Sequence, residues 1–152
     1  MNVKDTYDAV KKKYTLPDFE DIDHDFEISY IDHEAFFLRE VRRKMVDKME
    51  YFLKILEEIL QPETTISNMH ECKIYTDSEK EELYNLFRQL MIWHRNALLL
   101  TVESNDKSEA EFVSGFAKEW KSIKPLLLKS VKAMRDSWSH HTELKEDIGY
   151  MG

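Results

Sequence analysis

Residues 38–60 read LREVRRKMVDKMEYFLKILEEIL, and this stretch decides the fold. Leu38, Val41, Met45, Met49, Phe52, Leu56 and Ile59 recur at intervals of three and four, which puts all seven on one face of an α-helix. Charged side chains fill much of the rest. Glu40 with Lys44 and Glu50 with Lys54 are correctly ordered i,i+4 pairs, each adding about 0.3–0.5 kcal/mol. The pattern predicts a helix over 33–60, with Asp32 as its N-cap and Pro62 beyond its end.

The same period continues on the C-terminal side. Thr76-Asp77-Ser78-Glu79 has the form of a capping box, and a helix over 77–103 follows. Its predicted core arc is Leu83, Phe87, Leu90, Met91, His94, Ala97 and Leu98, with Leu99, Leu100 and Val102 broadening the apolar surface near its end. Ser108 is predicted to start the last helix. Its core face is Phe112, Phe116, Trp120, Ile123, Leu127, Val131, Met134 and Trp138. Pro125 interrupts that face, and an interior proline removes a helix hydrogen bond, so a kink or a split is expected there.

On the N-terminal side, residues 2–14 suit a short helix. Residues 15–31 read as an extended acidic arm with at most a turn of helix, anchored by Phe19, Ile22, Phe26, Ile28 and Tyr30, the last three at strand spacing. Residues 61–75 form a polar connection. The expected fold is all-α, a helical bundle of three long amphipathic helices with a short N-terminal helix and the arm. The domain expectation is one helical unit over 1–152: helix and arm in 1–31, bundle in 32–141, polar tail in 142–152.

Composition agrees. The chain has 152 residues, 42% hydrophobic and 34% charged, with three Gly and three Pro. So few breakers exclude collagen-like and disordered classes, and an all-β barrel with its many turns. No apolar run is long enough to span a membrane, and the N-terminal residues lack the apolar region of a secretory signal. A lone cysteine, Cys72, cannot form an internal disulfide and fits a reducing, cytoplasmic setting. The net charge is −8, and residues 18–34 hold eight acids with no Lys or Arg. Outside that stretch the charges balance, which argues against wholesale phosphate binding. The arm is placed to lie against a basic surface, either the last helix or Arg39, Arg42, Arg43 and Lys44.

Two features carry chemistry. Arg135-Asp136-Ser137-Trp138-Ser139-His140 spaces an arginine and a histidine with a polar residue after the arginine. The string resembles the short signature of the HEPN superfamily, small all-α domains that often act as ribonucleases at a dimer interface. The resemblance implies His140 as general acid/base and Arg135 as a phosphate-stabilising cation. Arg88 and His94 give a looser match of the same kind. The ordinary alternative is a cationic helix C-terminus, favoured by the helix dipole. The second feature is His94 itself, a buried polar candidate within an apolar arc, which needs a partner for its N–H.

Metal sites are not indicated. There is no Glu-x-x-His pair, and His70-x-Cys72 has no second pair nearby. Asp21-x-Asp23-x-Asp25 begins like a calcium loop but has Phe26 at the glycine position and Asp32 at the bidentate one. No glycine-rich phosphate loop occurs, so no cofactor is expected. Lys118, Lys121, Lys124, Lys129, Lys132 and Arg135 give the last helix a basic face that could track phosphates.

The reading that follows is a non-catalytic helical protein–protein interaction or scaffold protein, binding a protein partner or a second copy of itself through an apolar helix face. The alternatives are a dimeric HEPN-like ribonuclease using Arg135 and His140, and a nucleic-acid-binding module using the lysine face.

Overall fold

The computed structural model describes residues 1–139, and among them every regular element is helical. The six α-helices are α1 (Val3–Lys13), α2 (Phe19–Phe26), α3 (Phe37–Leu60), α4 (Ile66–Glu71), α5 (Asp77–Val102) and α6 (Asp106–Ser137). Single 3-10 turns lie at Ile28–Tyr30 and Cys72–Ile74. No described helix is long and apolar enough to cross a membrane. The chain divides into two compact units. One comprises residues 1–51 and 91–122, the other 52–90 and 123 onward, so α3, α5 and α6 each give a segment to both.

In the first unit, Asn2 starts α1, its side-chain oxygen accepting from Asp5 N at 3.2 Å. Pro17 disfavours helical backbone at the residue before it, and α1 has ended by Tyr14. The acidic arm is not extended: residues 19–26 form α2. Its acids explain this, because Glu20 and Asp21 fall in the first turn, where the helix dipole favours negative charge. Ile22 and Phe26, four residues apart, both point into the core. The helix stops at Glu27, which takes the left-handed conformation (φ 56°, ψ 44°). Two of its ion pairs join it to α1, Lys4 to Glu20 at 2.9 Å and Lys11 to Asp18. Those hydrogen bonds hold both carboxyls below the usual carboxylate range.

The arm docks through aromatic and cationic contacts. Phe26 lies 5.4 Å from Trp120 and 5.8 Å from Phe116, ring centre to ring centre. The Lys48 ammonium sits 5.8 Å above both Phe26 and Trp120 and donates to Asp25 O. Tyr7 donates to Pro17 O at 2.6 Å, and Ser114 to Thr15 O at 2.6 Å. Burial, then the Asp18 carboxylate, push the Tyr7 hydroxyl well above its ordinary value. Helix α3 starts at Phe37, four residues later than expected, and Asp32 does not cap it. The delay follows from Phe36, whose φ of 54° is incompatible with a right-handed helix.

In the second unit the connection 61–75 is more structured than expected. Thr65 caps α4, accepting from Asn68 N at 3.2 Å. The His70 ring stacks on Trp138 at 4.1 Å, its Nε2–H donates to Ser137 O at 3.1 Å, and Trp138 Nε1 donates to Glu71 at 3.0 Å. The capping box of α5 forms as read: Glu79 N donates to Thr76 Oγ1 at 3.1 Å and Thr76 N to Glu79 Oε1 at 2.9 Å. Helix α6 begins at Asp106 with Asn105, not Ser108, accepting from Ser108 N at 2.9 Å. It runs unbroken through Pro125, so the expected split is absent. Pro125 is exposed, which leaves the carbonyl it cannot satisfy open to water. Val131 and Trp138, predicted as core, are exposed. The buried arc of α6 here is Ile123, Leu127, Ser130 and Ser137, because Tyr75 bonds Ser130 O at 2.8 Å while α4 holds Ser137.

Tyr75 makes alkaline stability testable. Burial, then the Glu71 and Glu79 carboxylates, push its hydroxyl up to about 12 from an ordinary value of 10. A group whose folded value is raised gives stability that is fully present below its unfolded value and is lost as pH rises through the folded one. Chemical denaturation from pH 9 to 12 is therefore expected to show wild type losing stability more steeply than Tyr75→Phe. Parallel curves would mean that Tyr75 ionises as freely in the fold as outside it.

Candidate functional site

The best-defined site lies in the first unit, on α5 between residues 92 and 102. Its inner side is fixed by a buried ion pair. Arg42 and Glu109 are 3% and 1% exposed, with Arg42 Nε donating to Glu109 Oε2 at 2.7 Å. Ser104 Oγ donates to the other Glu109 oxygen at 2.8 Å. Arg42 Nη1 reaches Thr101 Oγ1 at 3.2 Å and Ala97 O at 3.4 Å. One network thus fastens α3, α5 and the first turn of α6, and sets the rotation of α5 about its axis.

That rotation differs from the sequence expectation. The buried α5 positions are Leu83, Leu86, Leu90 and Ala97, so the inward arc is shifted toward Leu86 and Trp93 and away from Met91 and Leu98. Trp93 packs edge-on against Phe112 at 5.5 Å and Phe116 at 5.7 Å. Leu98 is consequently exposed, and His94 moves from the expected centre of the core to its border.

At that border His94 lies between two charged groups. Its Nε2 faces Glu50 Oε1 at 3.0 Å, and its Nδ1 faces Arg95 Nη1 at 2.7 Å. A carboxylate only accepts and a guanidinium only donates, so the ring carries its proton on Nε2. Both nitrogens are engaged, which makes His94 a positioned polar hinge between α3 and α5, not a base with a free lone pair. It lines a polar groove of about 340 Å³ with Arg43, Lys44, Asp47 and Thr101. Thr101 is likewise occupied, donating to Ala97 O at 3.1 Å.

The outer side of α5 is apolar. Ile92, Leu99 and Val102 are 58%, 68% and 88% exposed. They are spaced seven and three residues apart, so they form one stripe, with Arg95 set between the first two. Leu98 flanks it. The run Ala97–Val102 gave a signal for this surface in the sequence: its apolar residues cover more of the helix circumference than one core contact can bury.

The other predicted residues are less constrained. Arg135 is exposed near the end of α6, its Nε 3.0 Å from the neighbouring Asp136 carboxylate. His140, its expected partner, lies outside the described residues, as does the tail 142–152. Lys118 and Lys121 are exposed in the first unit, Lys129 and Lys132 are exposed in the second, and Lys124, also in the second, is half-buried. Among the described residues no group of three or more His, Cys, Asp or Glu side chains is arranged to hold a metal ion. Comparison with known protein families, curated proteins and solved structures finds no match to this chain.

Proposed function

We propose that this protein is a helical interaction module that docks a partner protein against the outer stripe of α5. One observation carries the reading: Ile92, Leu99 and Val102 stand exposed on a helix whose opposite side is locked by the Arg42–Glu109 network. Burying a large aliphatic side chain contributes about 1.5–3 kcal/mol. Three of them beside an arginine, a residue type enriched at binding hot spots, supply enough to offset part of the cost of association. The spacing suits an amphipathic helix laid along α5. In this reading the partner is another protein or a second copy of this chain.

The test is the double variant Leu99→Asp, Val102→Asp. Exposed positions tolerate such changes within about ±0.5 kcal/mol, so the helical circular dichroism and melting temperature are expected to stay put. Light scattering at low and high salt reads self-association. Quantitative binding to a purified partner reads the alternative. The expected result is a loss of at least tenfold in affinity, or a fall from dimer to monomer. Unchanged self-association and unchanged partner affinity in the variant would overturn the proposal.

A further inference from the structure

We infer, resting on the reading of α5 just proposed, that its stripe takes a second copy of this chain, packed antiparallel across a two-fold axis at Leu99. A closed two-fold contact sets one patch against itself, so the patch must complement its own rotated image. Between residues 91 and 103 the only Asp, Glu, Lys or Arg side chains are Arg95 and Glu103. They are opposite in sign, and each lies four residues from Leu99, one before it and one after. Glu103 N donates to Leu99 O at 2.9 Å, so the helical spacing extends to it. At 1.5 Å per residue each charge stands about 6 Å along the helix from Leu99. An antiparallel copy centred there sets Leu99 against the partner's Leu99. It also brings Arg95 level with the partner's Glu103, and symmetry makes that pair twice. A parallel copy would set like charges level with each other.

An independent observation concerns Glu103. It follows the last residue of α5, whose last turn holds no basic side chain. The helix dipole disfavours an acid at that end, so the helix itself gives no reason for one. Glu103 is exposed, and its carboxylate has no hydrogen-bond or ion-pair partner among the described residues. Arg95 engages one nitrogen, Nη1, with His94 Nδ1 at 2.7 Å, which holds the guanidinium beside the stripe. Its remaining donors meet no carboxylate among the described residues. An acid and a base thus flank Leu99 on one exposed face, each lacking an opposite charge within its own chain. Leu98, Leu99 and Val102 lie between them, 46%, 68% and 88% exposed, and the two-fold covers both copies of this apolar set. Ile92, seven residues from the axis, falls at the edge of the contact.

Sedimentation equilibrium on the full chain over a concentration series tests this with two charge reversals. Wild type is expected to dimerise. Arg95→Glu and Glu103→Arg are each expected to weaken dimerisation at least tenfold, because both pairs across the axis become like-charged. An equimolar mixture of the two variants is expected to regain wild-type affinity, since each then meets the opposite charge. Glu103→Arg is expected to keep or raise the melting temperature at concentrations where wild type is monomeric, a cation being favoured at a helix C-terminus. Loss of the dimer in that variant is then not a loss of fold. A wild type that stays monomeric throughout would overturn the second copy and leave the proposed function standing on a different protein partner. A dimer lost in Leu99→Asp, Val102→Asp but indifferent to both charge reversals, or a mixture that stays monomeric, would overturn the axis and leave the stripe. A dimer that survives Leu99→Asp, Val102→Asp would lie elsewhere on the chain and overturn the inference, leaving the proposed function to its partner-binding measurement.

Discussion

Glu109→Ala is expected to remove about 3–5 kcal/mol of stability. At about 2–4 °C per kcal/mol for a chain of this size, that lowers the melting temperature by roughly 6–20 °C. The reason is the state of Arg42 after the change. Its guanidinium is 3% exposed, and its strongest partner, at 2.7 Å, would be gone. Arg42 Nη2 is already buried without a hydrogen-bond partner, so the site holds no spare acceptor for the orphaned cation. Ser104 would also lose its acceptor. Arg42→Met leaves a buried carboxylate instead and is expected to cost a comparable amount. The double variant Arg42→Met, Glu109→Leu tells the two effects apart. Replacing both charges by apolar groups of similar volume is often neutral or stabilising, so much of the loss should return. Urea titrations of wild type, Arg42→Met, Glu109→Leu and the double variant give the coupling energy directly. A cost below about 1 kcal/mol for either single variant would mean that water reaches the pair and that it does not fix α5.

Gly115→Ala is expected to destabilise by about 1–3 kcal/mol, against the usual trend. In an ordinary helix interior alanine is favoured over glycine by about 1 kcal/mol. Here a Cβ on Gly115 would stand 2.7 Å from Trp93 Cη2, closer than any relaxed contact. The indole is rigid, and Phe112 and Phe116 hold it edge-on at 5.5 and 5.7 Å. Making room therefore disturbs the whole aromatic cluster, including the Phe116–Trp120 contact at 5.9 Å. Trp93→Phe in the same background shortens the ring and should restore most of the loss. A stabilising Gly115→Ala would show that Trp93 swings away freely.

The long helices were legible because their cause is local. The 3-4 spacing of Leu38 to Ile59 and the Thr76–Glu79 capping box depend only on residues close in sequence. The arm misled because alternating Phe26, Ile28 and Tyr30 resemble a strand, whereas Phe26 closes α2 and Ile28 lies beyond a left-handed Glu27. Helix α5 was placed correctly but rotated, since a helix apolar on more than one side does not declare which side is inward. The deciding interaction is Arg42 with Glu109, 67 residues apart. Arg42 gave a trace of it, lying four residues after Leu38 and three before Met45 on the apolar side of α3. Glu109 gave none, because an acid in the first turn of a helix is explained already by the dipole. The outer stripe of α5 could be sensed as excess apolar surface, but which of its residues stay exposed depended on that one ion pair.

We propose that a partner covers the outer face of α5. Site-specific photo-crosslinking tests it most directly, with a benzophenone amino acid placed at Leu99 and, as control, at Glu111, an exposed position on α6. One discrete adduct is expected from position 99, with either a second copy of the chain or a single partner protein, and none from position 111. No adduct at 99, or the same adducts from both positions, would contradict it.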